Sequence, residues 1–566
     1  MRRAVWWLLL VGLALTARAA APLGALAGSP LAPAVAAAFA DETAGDPVRG
    51  NRVAILPEGN EALLLRVHLI RQARTSIEIQ TFIWSDDECG RLLIYELIEA
   101  ARRGVKVRII ADHMVSDQNP ATVAFLATVN PNFEVRHYRP AMARLKPSLI
   151  QKAKAALGSF HDLNQRMHNK VMIFDGAVLI TGGRNIENTY FDHSTHMNFR
   201  DRDVVATGPV VRTAAASFEQ FWQFKHVVAG RDLQDVAAVI ASGKYPRYGT
   251  RADYDFGPYF KELAGDAPVL QTVAERVAAR LRPVARAEFI CDEPGKPSAK
   301  ISQALRQTAA QAQREIVMQT PYLILSKPAQ RLVRELRAKH PGLSIRISSN
   351  SFASTDNLFA YSANYRLRGL YVDDLKLEIH EFKPQPAALR TLFPGYDAIA
   401  AVARAQDAKA PPPFLCIHAK SLVVDDRYAF IGSYNLDPRS ENLNTEVGLV
   451  IEDTPLAREL RGQIETDMRP ENSWVIGKRV LPLQLSSVNA LVDGVLSSLP
   501  VDVWPIQNTT SFELRPGAKE VPPDDPAFPD NYREAGSFPG ADGLLTQKEI
   551  ITRLYKAVGS PLTPIM

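Results

Sequence analysis

The sequence predicts an α/β protein built from two similar halves, and three observations lead there. A short pattern occurs twice, His168-Asn169-Lys170 with Asp175 and His418-Ala419-Lys420 with Asp425, 250 residues apart. Each copy is followed at the same distance by a small-residue turn and an asparagine, Gly182-Gly183-Arg184-Asn185 and Gly432-Ser433-Tyr434-Asn435. Self-similarity of this kind marks a duplicated unit. Upstream, Ile79-Gln80-Thr81-Phe82 matches Met318-Gln319-Thr320-Pro321, at an offset of 239. Each of these follows an amphipathic helical stretch, residues 61–73 and 300–313, and precedes another helix and a strand, residues 105–111 and 343–348. Helical and strand periods that alternate in this way favour a layered α/β fold.

The chain has 566 residues, 46% of them hydrophobic and 22% charged, which excludes a collagen, a coiled coil or a mostly disordered chain. It opens with Arg2 and Arg3, an apolar run over residues 4–17 and Ala17-Arg18-Ala19. A charged start, a short apolar middle and a small-residue site describe an export signal. The competing reading is an uncleaved anchor, extended by the Ala-rich stretch to Ala40, with a second cutting site after Ala38-Phe39-Ala40. We therefore expect residues 1–40 to be a signal peptide or N-terminal anchor with an Ala-rich spacer. The first half then covers 41–265, the second half 266–504 and a Pro-rich C-terminal extension 505–566. The protein is expected to be exported, periplasmic or membrane-associated.

Within each half the motif opens a hairpin. Residues 171–174 and 422–424 are apolar on both faces, as in buried central strands. Asp175-Gly176 and Asp425-Asp426 signal tight turns into second strands at 177–181 and 428–431. About 11 extra residues in the second half fit a longer connection that includes Pro411-Pro412-Pro413. In the extension, Pro522-Pro523-Asp524-Asp525-Pro526 suggests irregular structure on the surface, with a short helix over 545–558. Three cysteines, Cys89, Cys291 and Cys416, are too few for a disulfide framework, and no Cys/His cluster suggests a structural metal.

Side chains alternate across a strand, so His168 and Lys170 share a face, as do His418 and Lys420. Two imidazoles and two ammonium groups suit phosphodiester cleavage. The lysines bind non-bridging oxygens, one neutral imidazole attacks phosphorus, and the other, protonated, supplies the leaving alcohol with its proton. No metal and no cofactor is called for. Asp175 and Asp425 complete the motifs and are counted with the catalytic set, with turn fixing as their first task. Asn185, Asn435 and Ser433 are expected to orient or bind substrate. Glu446, in Asn444-Thr445-Glu446, is a carboxylate that orients a histidine. Asp203 takes its place in the first half after a seven-residue insertion, with Asp201 as competitor.

These residues resemble the phospholipase D superfamily, whose signature is a duplicated His-x-Lys-x4-Asp followed by Gly-Gly or Gly-Ser and an asparagine. The likeness covers about residues 50–504. The stretches 166–170, 182–186, 432–439 and 443–446 are most similar to the bacterial cardiolipin synthase branch, C-type. This resemblance implies two α/β/α sandwich halves related by a pseudo-twofold axis and sharing one active site. It implies phosphatidyl transfer through a phosphohistidine, with His168 as nucleophile and His418 as acid/base. The expected partner is a phospholipid membrane, with phosphatidylglycerol, phosphatidylethanolamine or a similar lipid as substrate, and no obligate protein partner. Three features depart from the pattern: the export signal, Ala111-Asp112-His113-Met114 where an acidic pair is common, and the extension. They leave room for an exported phospholipase D that releases phosphatidic acid. A nuclease of the superfamily fits less well. Net charge is +5, and it falls to +2 once Arg2, Arg3 and Arg18 leave with the signal.

Two further groups stand out. The stretch 136–154 holds Arg136, Arg139, Arg144, Lys146, Lys152 and Lys154 and reads equally as a headgroup-facing surface or a solvated helix face. Trp84 and Tyr322 end matching strands and are candidates for the wall of a lipid entrance.

Overall fold

Two large sheets, one per half, carry the chain in a computed structural model that describes residues 24–42, 45–113, 116, 119–140, 143–148, 164–256, 267–296, 300–479 and 508–541. The first half contributes β1 (Arg52–Leu56), β2 (Ser76–Thr81), β3 (Lys106–Asp112), β4 (Phe133–Tyr138), β5 (Val171–Phe174), β6 (Val178–Gly182), β7 (Met197–Arg200), β8 (Asp203–Thr207), β9 (Val227–Ala229) and β10 (Arg282–Pro283). The second contributes β11 (Arg286–Cys291), β12 (Glu315–Gln319), β13 (Ser344–Asn350), β14 (Glu378–Phe382), β15 (Phe414–Ile417), β16 (Ser421–Val424), β17 (Tyr428–Gly432), β18 (Val447–Glu452), β19 (Ser473–Lys478), β20 (Thr509–Leu514) and β21 (Tyr532–Gly536).

The duplication read from the sequence is a duplication of topology. The first sheet runs β10-β1-β8-β6-β5-β2-β3-β4-β9 and the second β11-β18-β17-β16-β12-β13-β14-β19-β20-β21. In both, three parallel strands joined by helical crossovers lie beside an antiparallel hairpin that carries the motif. The motif strands are central, which explains why β5 and β16 are apolar on both faces and wholly buried. One apolar cluster joins Ile173, Leu179 and Val204 of the first sheet to Val423, Ile431 and Leu449 of the second, so the halves share a core. The small third sheet crosses the boundary: β7 pairs in parallel with β15.

Several expectations are corrected here. The Ala-rich spacer is part of the fold. The helix Ala32–Ala40 buries Val35, Ala38 and Phe39, and Leu26 and Leu31 before it are fully buried. A cut after Ala40 would strip these apolar groups from the first half. The export signal itself, over residues 1–23, lies outside the described residues. The helix Ala267–Arg280 packs on the helix Gly59–Gln72, and β10 pairs with β1, so the first half extends to Pro283 rather than ending at 265. The extension is not merely irregular. Its Thr509-Thr510-Ser511-Phe512 run is rich in β-formers, and β20 and β21 lengthen the second sheet from β19. The helix expected at 545–558, and Met114, Met142, Leu149, Lys152, Lys154 and Trp504, lie outside the described residues. The extra length of the second half falls in the β13–β14 connection, with the helix Leu358–Gly369, and in the β14–β15 connection, with the helix Tyr396–Gln406. No helix of the described residues is long and apolar enough to cross a membrane.

Candidate active site

Each motif reaches its strand from a segment tied to the other half. His168 N donates to Thr445 O at 3.0 Å, and Thr445 N donates to Arg166 O at 2.9 Å. On the other side, His418 N and Ala419 N donate to Arg200 O at 2.9 and 3.1 Å. Thr445 precedes Glu446 and Arg200 precedes Asp201, so each backbone clamp delivers a carboxylate to the histidine across the boundary. His168 Nδ1 lies 2.8 Å from Glu446 Oε2, and His418 Nδ1 lies 2.6 Å from Asp201 Oδ2.

Asp201 therefore fills the place expected first for Asp203. The ladders explain the difference. Gly182 faces Asp203 across β6–β8, and Gly432 faces Gly448 across β17–β18. Asp203 is thus the counterpart of Gly448, and Asp201, two residues earlier, is the counterpart of Glu446. Asp203 sits behind the site, 2.8 Å from Arg66 Nη2 and 3.4 Å from Arg184 Nη1, in a fully buried ion cluster.

The two small-residue turns differ for a steric reason. A Cβ on Gly183 would stand 2.1 Å from Asp201 Oδ1. Its counterpart Ser433 instead donates its hydroxyl to Glu446, which also accepts from Ser440 Oγ at 2.7 Å. Asn185 accepts from Ile83 N and donates to Tyr190 OH at 2.8 Å, whereas Asn435 Oδ1 has no hydrogen-bond partner among the described residues. Tyr190 was not among the expected residues. Its hydroxyl lies 3.4 Å from His418 Nε2. Carrying the repeat five residues past each asparagine would have found it, paired with Ser440.

Asp175 and Asp425 stand at the far end of β5 and β16 and do not face the histidines. Asp175 accepts from Arg74 N, Thr75 N and Ser76 N, and Asp425 from Gln313 N, Arg314 N and Glu315 N. Both residues have positive φ, 51° and 53°, as does the next residue in each turn, Gly176 at 60° and Asp426 at 57°. Their work is to pin the hairpin to the neighbouring parallel strand. The lysines fold back onto their own histidines, and Lys420 Nζ lies 2.7 and 3.1 Å from His418 Nδ1 and Nε2. Lys170 Nζ donates to His168 O at 2.8 Å, and Lys420 Nζ donates to His418 O.

His168, His418, Asn185, Asn435, Tyr190 and Arg439 line one cavity of about 510 Å³. Tyr322 lines it too and donates to Asp356 Oδ2 at 2.7 Å, while Phe82 rather than Trp84 walls the first half's side. Trp84 is buried and opens on a separate apolar cavity. Of the basic stretch, Arg136 turns inward over the Trp222 ring at 4.0 Å and Arg139 donates to Gln165. Among the described residues no group of His, Cys, Asp and Glu has the arrangement of a metal site.

The two halves are electrostatically unequal. Burial, then Lys170 and Lys420, hold His168 well below the ordinary imidazole range. Burial also lowers His418, but Asp201 opposes the shift through charge and hydrogen bond. Burial alone would raise Asp201; the adjacent His418 charge, its hydrogen bond and Lys420 outweigh that and keep Asp201 well below the carboxylate range. Burial pushes Glu446 up to about 7. Burial lowers both lysines as well.

Two crossed His–carboxylate pairs thus stand at one cavity on a duplicated α/β fold. A family model described as cardiolipin synthase, PLD-like domain matches residues 67–222 and 305–468. Cardiolipin synthase C of Escherichia coli (strain K12) is 30% identical over 415 residues, 71% of this chain and 82% of that one. Cardiolipin synthase B of Salmonella typhi is 23% identical over 75% of this chain and 85% of its own. In structure, the phosphatidylserine synthase of Haemophilus influenzae Rd KW20 covers 79% of this chain and 93% of its own, at 14% identity and a TM-score of 0.48. The chain belongs to the cardiolipin synthase, phospholipase D-like domain family and is an enzyme of the phospholipase D superfamily.

Proposed function

We propose that the chain is a phosphatidyltransferase of the cardiolipin synthase type, acting through a phosphohistidine. The observation that carries this reading is the crossed pairing of His168 with Glu446 and His418 with Asp201 at one cavity. The unequal pairs suit unequal roles. His168, kept neutral and paired with a carboxyl of weak acidity, is the nucleophile. His418 is lowered less than His168, because the firmly ionised Asp201 supports its charged form, and it is the general acid.

In the first step His168 Nε2 forms a bond to phosphorus, the bond to the leaving alcohol's oxygen breaks, and His418 Nε2 gives that oxygen its proton. In the second, an acceptor hydroxyl gives its proton to His418, its oxygen bonds to phosphorus, and the P–N bond breaks. Lys170 and Lys420 turn from the backbone carbonyls to the phosphate oxygens as charge builds there. Phosphatidylglycerol as acceptor yields cardiolipin, and water yields phosphatidic acid.

The test is incubation of the full chain with mixed phosphatidylglycerol and phosphatidylethanolamine vesicles, followed by mass spectrometry of the lipids. Cardiolipin formed by the wild type and absent with His168→Ala supports the reading. Phosphatidic acid alone makes the enzyme a hydrolase, and no lipid product at all overturns the phospholipid assignment.

A further inference from the structure

Among the described residues, three large apolar side chains stand exposed: Val269, Leu358 and Phe359. Single apolar residues on a surface are ordinary. Leu358 and Phe359 are neighbours, 39% and 47% exposed, at the start of the helix Leu358–Gly369, and Phe359 also lines the catalytic cavity. Ala363 and Arg366 line it too. Positions 359, 363 and 366 recur on one helical face, so this face forms the cavity wall and its first turn forms the lip.

The lip is held out by a rigid element. Asn357 Oδ1 caps Phe359 N and Ala360 N, both at 3.1 Å. Further along the helix, Tyr361 packs with Phe352 and Phe538, and buried Arg368 pairs with Glu381. Nothing in this bracing buries Leu358 or Phe359.

We propose that Leu358 and Phe359 enter the interface of an anionic phospholipid bilayer and seat the cavity mouth on it. The inference rests on the phospholipid reading of the site and adds the surface by which substrate is reached. A cavity of about 510 Å³ is the size of a pocket for one small ligand, so two-chain lipids leave their tails outside. A bilayer against the lip keeps those tails in hydrocarbon while the phosphodiester reaches His168. Arg366, exposed and on the same face, adds a cation for the headgroup layer.

The test uses the full chain with Leu358→Cys carrying an environment-sensitive fluorophore. The wild type, labelled identically, corrects for Cys89, Cys291 and Cys416. On phosphatidylglycerol/phosphatidylethanolamine vesicles the label's emission should rise about twofold or more and be quenched by a chain-labelled lipid. In parallel, Leu358→Ser should lose about tenfold in vesicle turnover and keep its turnover of detergent-dispersed lipid. A chain that floats with vesicles while the label stays unresponsive overturns the proposal, as does a chain that does not float. Lipid turnover with an unresponsive label overturns the docking surface alone. A quenched label without any lipid product upholds the docking surface and overturns the catalytic reading.

Discussion

Asp201 Oδ2 meets His418 Nδ1 at 2.6 Å, although the two residues are carried by different halves. Glu446 meets His168 across the same boundary in the opposite sense. Each half therefore lacks the carboxylate for its own histidine, and neither holds a complete site by itself. Asp201 favours the charged imidazole, so Asp201→Asn should lower the pKa of His418. The general acid is then lost at lower pH, and the basic limb of the kcat profile moves towards acid. At pH 8 kcat should fall by about 10²-fold or more while the fold stays intact. Asp203→Asn should behave in the reverse way. It leaves Arg66 and Arg184 buried with weakened partners and should cost about 3 kcal/mol or more of stability, read as a fall in Tm. Equal pH profiles for the Asp201 variant and wild type would remove Asp201 from the acid/base machinery.

Glu446 gives a stability prediction with a defined sign. Its carboxyl is wholly buried and titrates near 7 in the folded chain, above its ordinary 4.5. A group raised in this way contributes stability that is complete below about 4.5 and is lost as pH climbs through 7. Glu446→Gln cannot ionise and escapes that loss. Relative to wild type the variant should gain about 2 kcal/mol between pH 5 and pH 8. Thermal unfolding at the two pH values checks this, and a Tm difference that does not change with pH would show that Glu446 ionises freely in the fold.

Gly183 packs directly against the carboxylate of Asp201 and leaves no room there for a side chain. Gly183→Ala sets a Cβ 2.1 Å from Asp201 Oδ1, closer than any real contact. Either Asp201 leaves His418 or the turn shifts. We expect kcat to fall by about 10²-fold with about 1–3 kcal/mol of destabilisation. The equivalent change in the other half, Ser433→Ala, keeps the backbone and only removes a donor to Glu446. It should be the milder of the two in a side-by-side measurement of kcat and Tm.

The contrast between Asp201 and Asp203 also shows where sequence reading stops. The motif strands were legible because each is a run of apolar residues closed by an Asp turn, and because the whole pattern occurs twice. The identity of the first half's carboxylate depended on the size of an insertion. The ladders put that insertion at five residues, in the connection between Asn185 and Asp201 that also carries β7. That strand pairs with β15 of the other half, a contact between residues over 200 positions apart that leaves no period in either segment. The lysines' folded-back position and the contact of Tyr190 with His418 are likewise tertiary. The Ala-rich residues 24–40 carry no strong helical stripe, yet Leu31, Val35 and Phe39 are enough to fix their helix on the first half. In the extension, the prolines of 522–526 dominated the composition and hid the short β-forming run before them.

That extension bears on the cavity wall. Phe538, 6% exposed, packs with Phe352, Tyr361 and Tyr365, the last two on the helix Leu358–Gly369. Arg479 of the second half ties the same segment through Glu534 and Ser537. Removing the ring by Phe538→Ala opens a cavity beneath the helix and should cost about 3–5 kcal/mol where the site cannot collapse. The helix carries Phe359, Ala363 and Arg366 on the cavity face, so its loosening should raise KM for vesicle lipid by several fold and leave the His168 and His418 pairs in place. The measurement is Tm together with KM and kcat on vesicles. A fall in Tm with KM unchanged would make the extension a stabilising strap and nothing more. A rise in KM for Phe538→Leu as well, with Tm near wild type, would assign it to the positioning of the wall.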